Sequence, residues 1–492
     1  MIHNEIFMKY HFIKSFCLSA SLLGCGISCS APATGHPNII IILADDLGYG
    51  SVGCYGANPD LIRTQHIDRL AREGMRFTDA YATGSVCSPT RYSVITGRYC
   101  WRSSLSSGEV VNTFDPLLIE PGRPTVASVL KKKGYATGMI GKWHLGYGTA
   151  KKVDYTQELM PGPLELGFDY QFAVPQNHND VTRAFIEDHK VFGLRSTKLT
   201  PAPGNIGLDA PQREDPKTEG VLAERAVAWL EKQTPAKPFF LHFAPVAVHE
   251  KITPSAASSG TSKAGPYGDF VHDLDRSVGR ILDTLERLKF ADNTLVFFTS
   301  DNGGVLGKPG SAEEQAVGAG LKINGPLRGG KHDVWEGGFR VPWIARWPGH
   351  IQPGTTSDQL VGTVDFLATL AAVVDAPLPP TTPDAAGPDS HDFLPVLLGS
   401  AKTPIRPRLL LQSSKGVYAI RKGPWKLIAS SGGIATKDGK RRKSPEDPGH
   451  PQLFNLKNDP GETRDVSKDH PELVRELTGA LDLDRARGYS RK

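Results

Sequence analysis

Two pairs of oxygen-bearing side chains, Asp45-Asp46 and Asp301-Asn302, each close a short apolar run, NIIIIL at 38–43 and TLVFFTS at 294–300. Adjacent like charges are costly unless a cation or hydrogen bonds compensate them. Carboxylates joined by a side-chain amide are the hard oxygen donors that Ca2+ or Mg2+ takes. Either pair alone also reads as a helix cap or a solvated turn; two pairs on matching strand ends point to a divalent cation. The second chemical element is SVCSPTRYSVITGR at 85–98. Ser88 is a good N-cap and Pro89 suits the first helical position, which would set Cys87 just outside a helix amino terminus. Free amides and the helix dipole favour an anion there, and Arg91 can fold back over that end with a permanent planar charge. A nucleophile so placed would handle an oxyanion. From these residues alone, Cys87 stays open between a buried structural thiol and a thiolate nucleophile.

Lys142 and His144 follow the run ATGMI at 136–140, and His249 follows FFLHF at 239–243, with His242 inside that run as its rival. Lys331 closes LRGGK at 327–331. Each also has a bland reading, as a solvated loop lysine or a packed core histidine. The elements that must position them are legible from periodicity. Apolar runs without alternation are strands buried on both faces of a parallel sheet. Helical patterns lie between them at 64–73, 88–96, 125–133, 219–233 and 267–288. Such alternation implies a parallel, helix-flanked sheet, whose ligand site lies beyond the carboxyl ends of its strands. The polar clusters that follow the four runs are therefore expected on one edge.

Near residue 375 the texture changes to a Pro-rich connector, APLPPTTPDAAGP at 376–388. Beyond it, strands are expected at 408–412, 417–421 and 425–429, a polar hairpin or loop at 430–449 and a helix at 472–483. The expected fold class is α/β: a large central, mostly parallel sheet flanked by helices, plus a small C-terminal antiparallel sheet with a helix. The expected division is an export signal over 1–33, a catalytic α/β domain over 34–400 and a C-terminal α+β subdomain over 401–492.

With 492 residues, 39% hydrophobic and 22% charged, the chain has enough apolar content for a large core, which excludes wholesale disorder. The net charge of +5 is scattered apart from a basic run at 437–443, so no nucleic-acid-binding face is expected. All six cysteines (17, 25, 29, 54, 87 and 100) lie in the first hundred residues, which excludes a chain stapled throughout by disulfides. Cys54 and Cys100 read either as a pair formed after export or as free thiols. Lys9 and Lys14 precede FCLSASLLGCGISC at 16–29, too short to span a bilayer. Within it, LLGC at 22–25 resembles a lipobox acylated at Cys25; ordinary cleavage near 31–33 is the rival. The expected location is exported: periplasmic, an outer-membrane lipoprotein held only by its lipid anchor, or secreted.

CSPTR at 87–91 followed by ITGR at 95–98 closely resembles the signature of the type I sulfatases, Cys-x-Pro-Ser-Arg then Leu-Thr-Gly-Arg, with Thr90 and Ile95 as conservative departures. The resemblance runs over about 37–480: PN at 37–38 through DDLGYG at 45–50, GKWHLG at 141–146, SDNGG at 300–304, LRGGK at 327–331 through WEGG at 335–338 to RVP at 340–342, and LFNL with DPGE at 453–462. It implies an alkaline-phosphatase-like fold and an arylsulfatase-like enzyme whose Cys87 is oxidised to formylglycine by a formylglycine-generating or sulfatase-maturating enzyme. It implies further that Ca2+, or Mg2+, sits on Asp45, Asp46, Asp301 and Asn302, polarising the sulfate and acidifying the formylglycine hydrate. By the same resemblance one hydroxyl of that hydrate attacks sulfur, Lys142 and Lys331 hold sulfate oxygens and Arg91 steadies residue 87. His249 with Lys331 protonates the leaving oxygen, and His144 deprotonates the second hydroxyl, expelling sulfate. The expected substrate is a sulfate monoester on a glycan, cleaved in exo fashion, with His178, Asn179, Trp101, Arg102, His332 and Trp335 as candidate substrate contacts. A phosphomonoester or phosphonate hydrolase of the same fold and a noncatalytic glycan-binding lipoprotein are the alternatives.

Overall fold

A computed structural model describes residues 35–430, 434–435, 441–442 and 449–491. The expected export signal, with Cys25, and most of the basic run at 437–443 lie outside the described residues. The strand Asn38–Ala44 is buried along its whole length. Successive side chains of a strand point to opposite faces, and here Ile39, Ile41 and Leu43 join one core while Ile40, Ile42 and Ala44 join another. A run with no alternation therefore serves two cores at once, as a central parallel strand must.

Five parallel strands form the middle of a ten-stranded sheet, in the order Thr294–Ser300, Asn38–Ala44, Phe239–Ala244, Ala136–Lys142 and Tyr170–Val174. Trp343–Arg346 pairs antiparallel with Thr294–Ser300, and the short strands Met75–Phe77 and Thr355–Ser357 complete that edge. Ile186–Glu187 and Lys190–Val191 close the other. Helices Gln65–Arg72, Asp215–Leu230 and Gly265–Arg287 cover one face, through residues such as Leu70, Leu222 and Phe270. Helices Cys87–Thr96, Val126–Lys132 and Phe366–Val373 cover the other, through Tyr92, Leu130 and Phe366. Among the described residues no helix is long and apolar enough to cross a membrane.

The helix bearing the signature starts at Cys87 with Val86 as its cap residue, two positions earlier than the Ser88 cap expected from the sequence, so Cys87 is the first helical residue and does not lie just outside the helix. Ser88 does not cap it; its hydroxyl donates instead to the carbonyl of His144 at 2.9 Å. All ten residues of this helix are buried. Cys54 and Cys100 are free, the second of the two readings open from the sequence. The reason is geometric: Cys100 belongs to the core on one face of the sheet and Cys54 packs against the core on the other.

Beyond the connector, Leu409–Gln412, Tyr418–Lys422, Trp425–Ile428 and Gln452–Asn455 make a four-stranded antiparallel sheet covered by the helix Pro471–Ala486. The fourth strand lies where the sequence suggests only a turn. Ile434–Ala435 and Arg441–Arg442 pair as an antiparallel hairpin. The small sheet shares a core with Tyr81, Tyr99, Val334 and Phe339 of the larger part. It is also held by charge: Lys426 Nζ, fully buried, lies 3.1 Å from Glu336 Oε1 and 2.8 Å from Glu462 Oε1. Tyr81 donates to the second Glu336 oxygen at 2.7 Å. Removing the cation would strand two buried carboxylates, which costs about 3–5 kcal/mol. Lys426→Met is accordingly expected to lower the unfolding free energy by that amount in a urea titration, and an unchanged midpoint would show that the cluster does not join the two sheets.

Candidate active site

The central strands end level with one another: Ala44 is paired with Ser300 and Ala244 with Gly141. The residues that follow, Asp45-Asp46, Asp301-Asn302, Lys142 and the segment leading to His249, therefore emerge side by side at one edge. Asp46 and His144 turn off their strands in the left-handed region, at φ of 58° and 57°, a costly conformation for residues with a Cβ that gathers at functional sites. Cys87 is the first residue of its helix and meets this edge at Lys142. Lys331 is brought in by a close approach of two glycine-rich loops. A Cβ on Gly303 would lie 1.7 Å from the carbonyl oxygen of Gly337, while the Lys331 amide donates to Gly304 O at 3.1 Å. The convergence expected for the residues that follow the four runs is thus present, and Cys87, Arg91 and Lys331 reach the same edge from other elements.

The contacts within the cluster pair cations with acids. Lys142 Nζ donates to both oxygens of Asp45, at 3.0 and 2.7 Å, and to Cys87 Sγ at 3.2 Å. Lys331 Nζ donates to Asp46 Oδ2 at 2.7 Å. Arg91 sends Nε and Nη2 to Asp301 Oδ2, at 3.0 and 2.7 Å, and Nη1 to the carbonyl of Lys142 at 2.9 Å. It folds back over the helix start, as its spacing from Cys87 allows. Asn302 Nδ2 donates to Asp46 Oδ1 at 2.8 Å, but Asn302 Oδ1 is buried without a partner. An acceptor left bare beside three carboxylates fits a hard cation. One atom from each of Asp45, Asp46, Cys87 and His249 also lies within 4.8 Å of the others. This group shares Asp45 and Asp46 with the cation site expected from the sequence and adds Cys87 and His249, without Asp301.

Electrostatics distinguish the candidates. Burial first, and Asp301 second, push the Cys87 thiol well above its usual range against the pull of Lys142 and Lys331, so the thiolate is not its resting form. For Asp46, burial works to raise its pKa, but Lys331, His249 and Lys142 together hold it well below the carboxylate range. Burial, then Lys142, depresses both His144 and His249 far below the usual imidazole range. His144 keeps one ring nitrogen 3.0 Å from the Val111 carbonyl and the other buried without a partner. His249 Nε2 stands 3.9 Å from Asp46 Oδ2. Its rival His242 lies within the strand, facing none of these groups by hydrogen bond, so of the two it is His249 that joins the cluster.

The six candidate substrate contacts part ways. Asn179 and His332 are exposed; His332, at φ of 80°, follows Lys331 and has Nδ1 3.2 Å from Ser414 Oγ. His178 is buried, with Nε2 2.7 Å from Thr253 Oγ1. Arg102 is committed elsewhere, binding both oxygens of Asp389 at 2.9 and 3.0 Å. Trp101 stacks on Tyr99 at 4.2 Å, and Trp335 lies 3.4 Å beneath the Arg328 guanidinium and edge-on to Phe454. These three are packed into the framework that carries the small sheet. Sequence reasoning missed Ser300, whose hydroxyl takes the Leu47 amide at 2.9 Å and donates to Asn302 O at 2.9 Å, tying the two acidic loops together.

Comparison with known proteins identifies the family and the fold. A family model described as Sulfatase matches residues 37–376. An N-acetylgalactosamine-6-O-sulfatase of Bacteroides thetaiotaomicron is 35% identical over 494 residues, covering 92% of this chain and 93% of its own. Human arylsulfatase A is 35% identical over 480 residues, covering 92% of this chain and 88% of its own. A solved structure described with the metabolism of multiple glycosaminoglycans by Bacteroides thetaiotaomicron superposes with a TM-score of 0.84 at 34% identity, over 92% of this chain and all of that one.

Burial also sets a pH dependence. His178 and His242 are both pushed down to about 3, chiefly by burial, with Arg213 and Arg91 respectively adding to it. Their unfolded forms protonate near 6.5, so below that pH the unfolded chain binds more protons and stability falls with acidification. His242→Phe is expected to reduce the slope of unfolding free energy between pH 4 and 5.5 by about 1.4 kcal/mol per pH unit. Denaturant titrations at several pH values check this; an unaltered slope would mean His242 titrates alike in both states.

Proposed function

The chain belongs to the sulfatase family, and from that premise we propose that it removes sulfate from sulfated carbohydrates, with 6-sulfated N-acetylgalactosamine units as its first substrate class. The observation that carries this reading is the geometry at residue 87. Its side chain sits under the Lys142 ammonium at 3.2 Å, with Arg91 and Lys331 completing a cationic wall around Asp45, Asp46 and Asp301. A sulfate monoester spreads one negative charge over three oxygens, and such a wall is what stabilises it. The glycan part of the proposal is supported by the galactosamine-sulfatase relative, which matches over nearly the whole of both chains. The first 33 residues, read as an export signal, suit an enzyme that meets extracellular glycans.

Asp45, Asp46, Asp301 and Asn302 would hold the divalent ion; the bare Asn302 Oδ1 and the hard oxygen donors favour Ca2+ or Mg2+. When bound, the ion polarises the sulfate and favours the ionised form of an oxygen nucleophile. Cys87, held as the neutral thiol, is a poor nucleophile as it stands and suits the role of precursor to formylglycine, whose hydrated aldehyde supplies that oxygen. Within the chain's own residues, Lys142 and Lys331 have ammonium groups for sulfate oxygens, and Arg91 fixes the helix start by its bond to Lys142 O. A sulfate anion beside His249 would favour its protonated form, opposing the burial that lowers it. His249 and Lys331 can then pass a proton to the leaving oxygen. His144, held neutral, is the base for the second hydroxyl.

Cys87→Ala and Cys87→Ser are both expected to abolish multiple turnover, because neither leaves an aldehyde to regenerate. The peptide carrying residue 87, from a host with an active maturation system, is expected to show aldehyde in place of thiol by mass and hydrazide reactivity. Sustained turnover by either variant would sink the mechanism. On a substrate panel, 6-sulfated N-acetylgalactosamine is expected to exceed an aryl sulfate in kcat/KM; hydrolysis confined to the aryl ester would overturn the carbohydrate reading.

A further inference from the structure

Asp45 and His249 reach the site from different strands, and main-chain bonds between the two segments set them against each other. The Asp45 amide donates to Ala247 O at 3.1 Å, the Val248 amide donates back to Asp45 O at 2.6 Å, and the His249 amide donates to Val246 O at 3.0 Å. Two amides of this turn, those of Val246 and Ala247, point away from that pairing. Both donate to one oxygen of Glu219, Oε2, at 3.0 and 3.3 Å. Glu219 belongs to the helix Asp215–Leu230, and its second oxygen accepts the hydroxyl of Ser277, from the helix Gly265–Arg287, at 2.7 Å. Glu219 is 3% exposed, at the wall of a cavity of about 410 Å³ also lined by Asp273, Arg276 and Arg280. Among the described residues no cation forms an ion pair with it, and burial raises its pKa to about 7. A buried carboxyl without a cation is costly, and what it holds in return is the turn that carries His249.

We propose that Glu219 is a positioning residue for sulfate ester hydrolysis: through the Val246 and Ala247 amides it fixes the turn that registers His249 on Asp45, while touching neither side chain. This rests on the reading of His249 as the proton donor to the leaving group. A displacement of about 1 Å at such a group costs about 10²-fold in rate. The role needs a hydrogen-bond acceptor and not a charge, so glutamine can replace it: its carbonyl accepts both amides and its amide group donates to the Ser277 hydroxyl.

The test measures kcat and KM on an aryl sulfate for the parent, Glu219→Ala, Glu219→Gln and Ser277→Ala, normalised to folded protein and to the aldehyde content of the residue 87 peptide. Glu219→Ala is expected to lose about 10²-fold in kcat with KM within about threefold, while Glu219→Gln stays within about threefold of the parent in both. Ser277→Ala is expected to lose a few-fold in kcat, and it decides the matter if Glu219→Ala does not fold. Full kcat per folded site in Glu219→Ala, no loss in Ser277→Ala, or Glu219→Gln as poor as Glu219→Ala would each overturn the proposal. A parent that turns over no sulfate ester would overturn the functional reading beneath it, a result distinct from any of these.

Discussion

Burial of a dense set of charges at one sheet edge is the constraint on which the rest of the molecule turns. Asp45, Asp46, Asp301, Arg91 and Lys142 are all within 2% of complete burial. A buried charge deprived of its partner costs several kcal/mol, so each must be answered locally. Lys142 answers Asp45, Lys331 answers Asp46 and Arg91 answers Asp301. Because Arg91 also binds the Lys142 carbonyl, the backbone that carries Lys142 is tied to the Arg91–Asp301 pair. That explains why the helix Cys87–Thr96 is buried along its length although its sequence is not especially apolar: its task is to deliver Cys87 and Arg91 to this edge.

Such charge matching demands that the scaffold place the groups to within a fraction of an ångström, and a parallel sheet does this by register. Ile39 to Ile42 pair in step with Phe240 to Phe243 on one side and with Leu295 to Phe298 on the other. The strand ends, and the residues just beyond them, are then level by construction. Glycines do the remaining work where two loops must touch. Gly303 abuts Gly337, so the loop that carries Asn302 and the loop that carries Lys331 meet without side chains between them.

This division explains what could be read from the sequence. The four central strands were legible because a strand buried on both faces has an apolar run and little else, and the acidic pairs were legible because they terminate such runs. CSPTR with ITGR marked the helix because Pro89 and Gly97 punctuate it. The strand Gln452–Asn455 was not legible as one: it is four residues long and its signal is drowned by the turn residues that follow. Lys426 and Glu336 gave no sign of their pairing because their partners lie about ninety residues apart along the chain and buried ion pairs leave no periodicity. Arg102 and Trp335 looked like ligand contacts from their types alone, yet Asp389 and Arg328 take them up. Glu219 had no local signature at all, since its partners are two main-chain amides and a serine hydroxyl far along the chain.

The charge count at the edge bears on why a cation and an anionic substrate belong together here. Three carboxylates face three basic side chains, Arg91, Lys142 and Lys331, so the charges of the cluster nearly balance by themselves. A divalent ion on the proposed oxygen donors would leave an excess of two positive charges in a water-poor site. An excess of that size is costly to keep and is relieved by an anion. A sulfate monoester brings one negative charge and leaves residual positive charge for what develops in the transition state, which is where stabilisation accelerates a reaction. With an ion held by the acids, the ammonium groups that neutralise Asp45 and Asp46 would be available to sulfate oxygens. On this reading Lys142 and Lys331 serve two masters in succession, first the folded apo-cluster and then the substrate. That is a physical reason for lysines at these positions in place of arginines: their compact, rotatable ammonium groups can change partner without moving a planar fork.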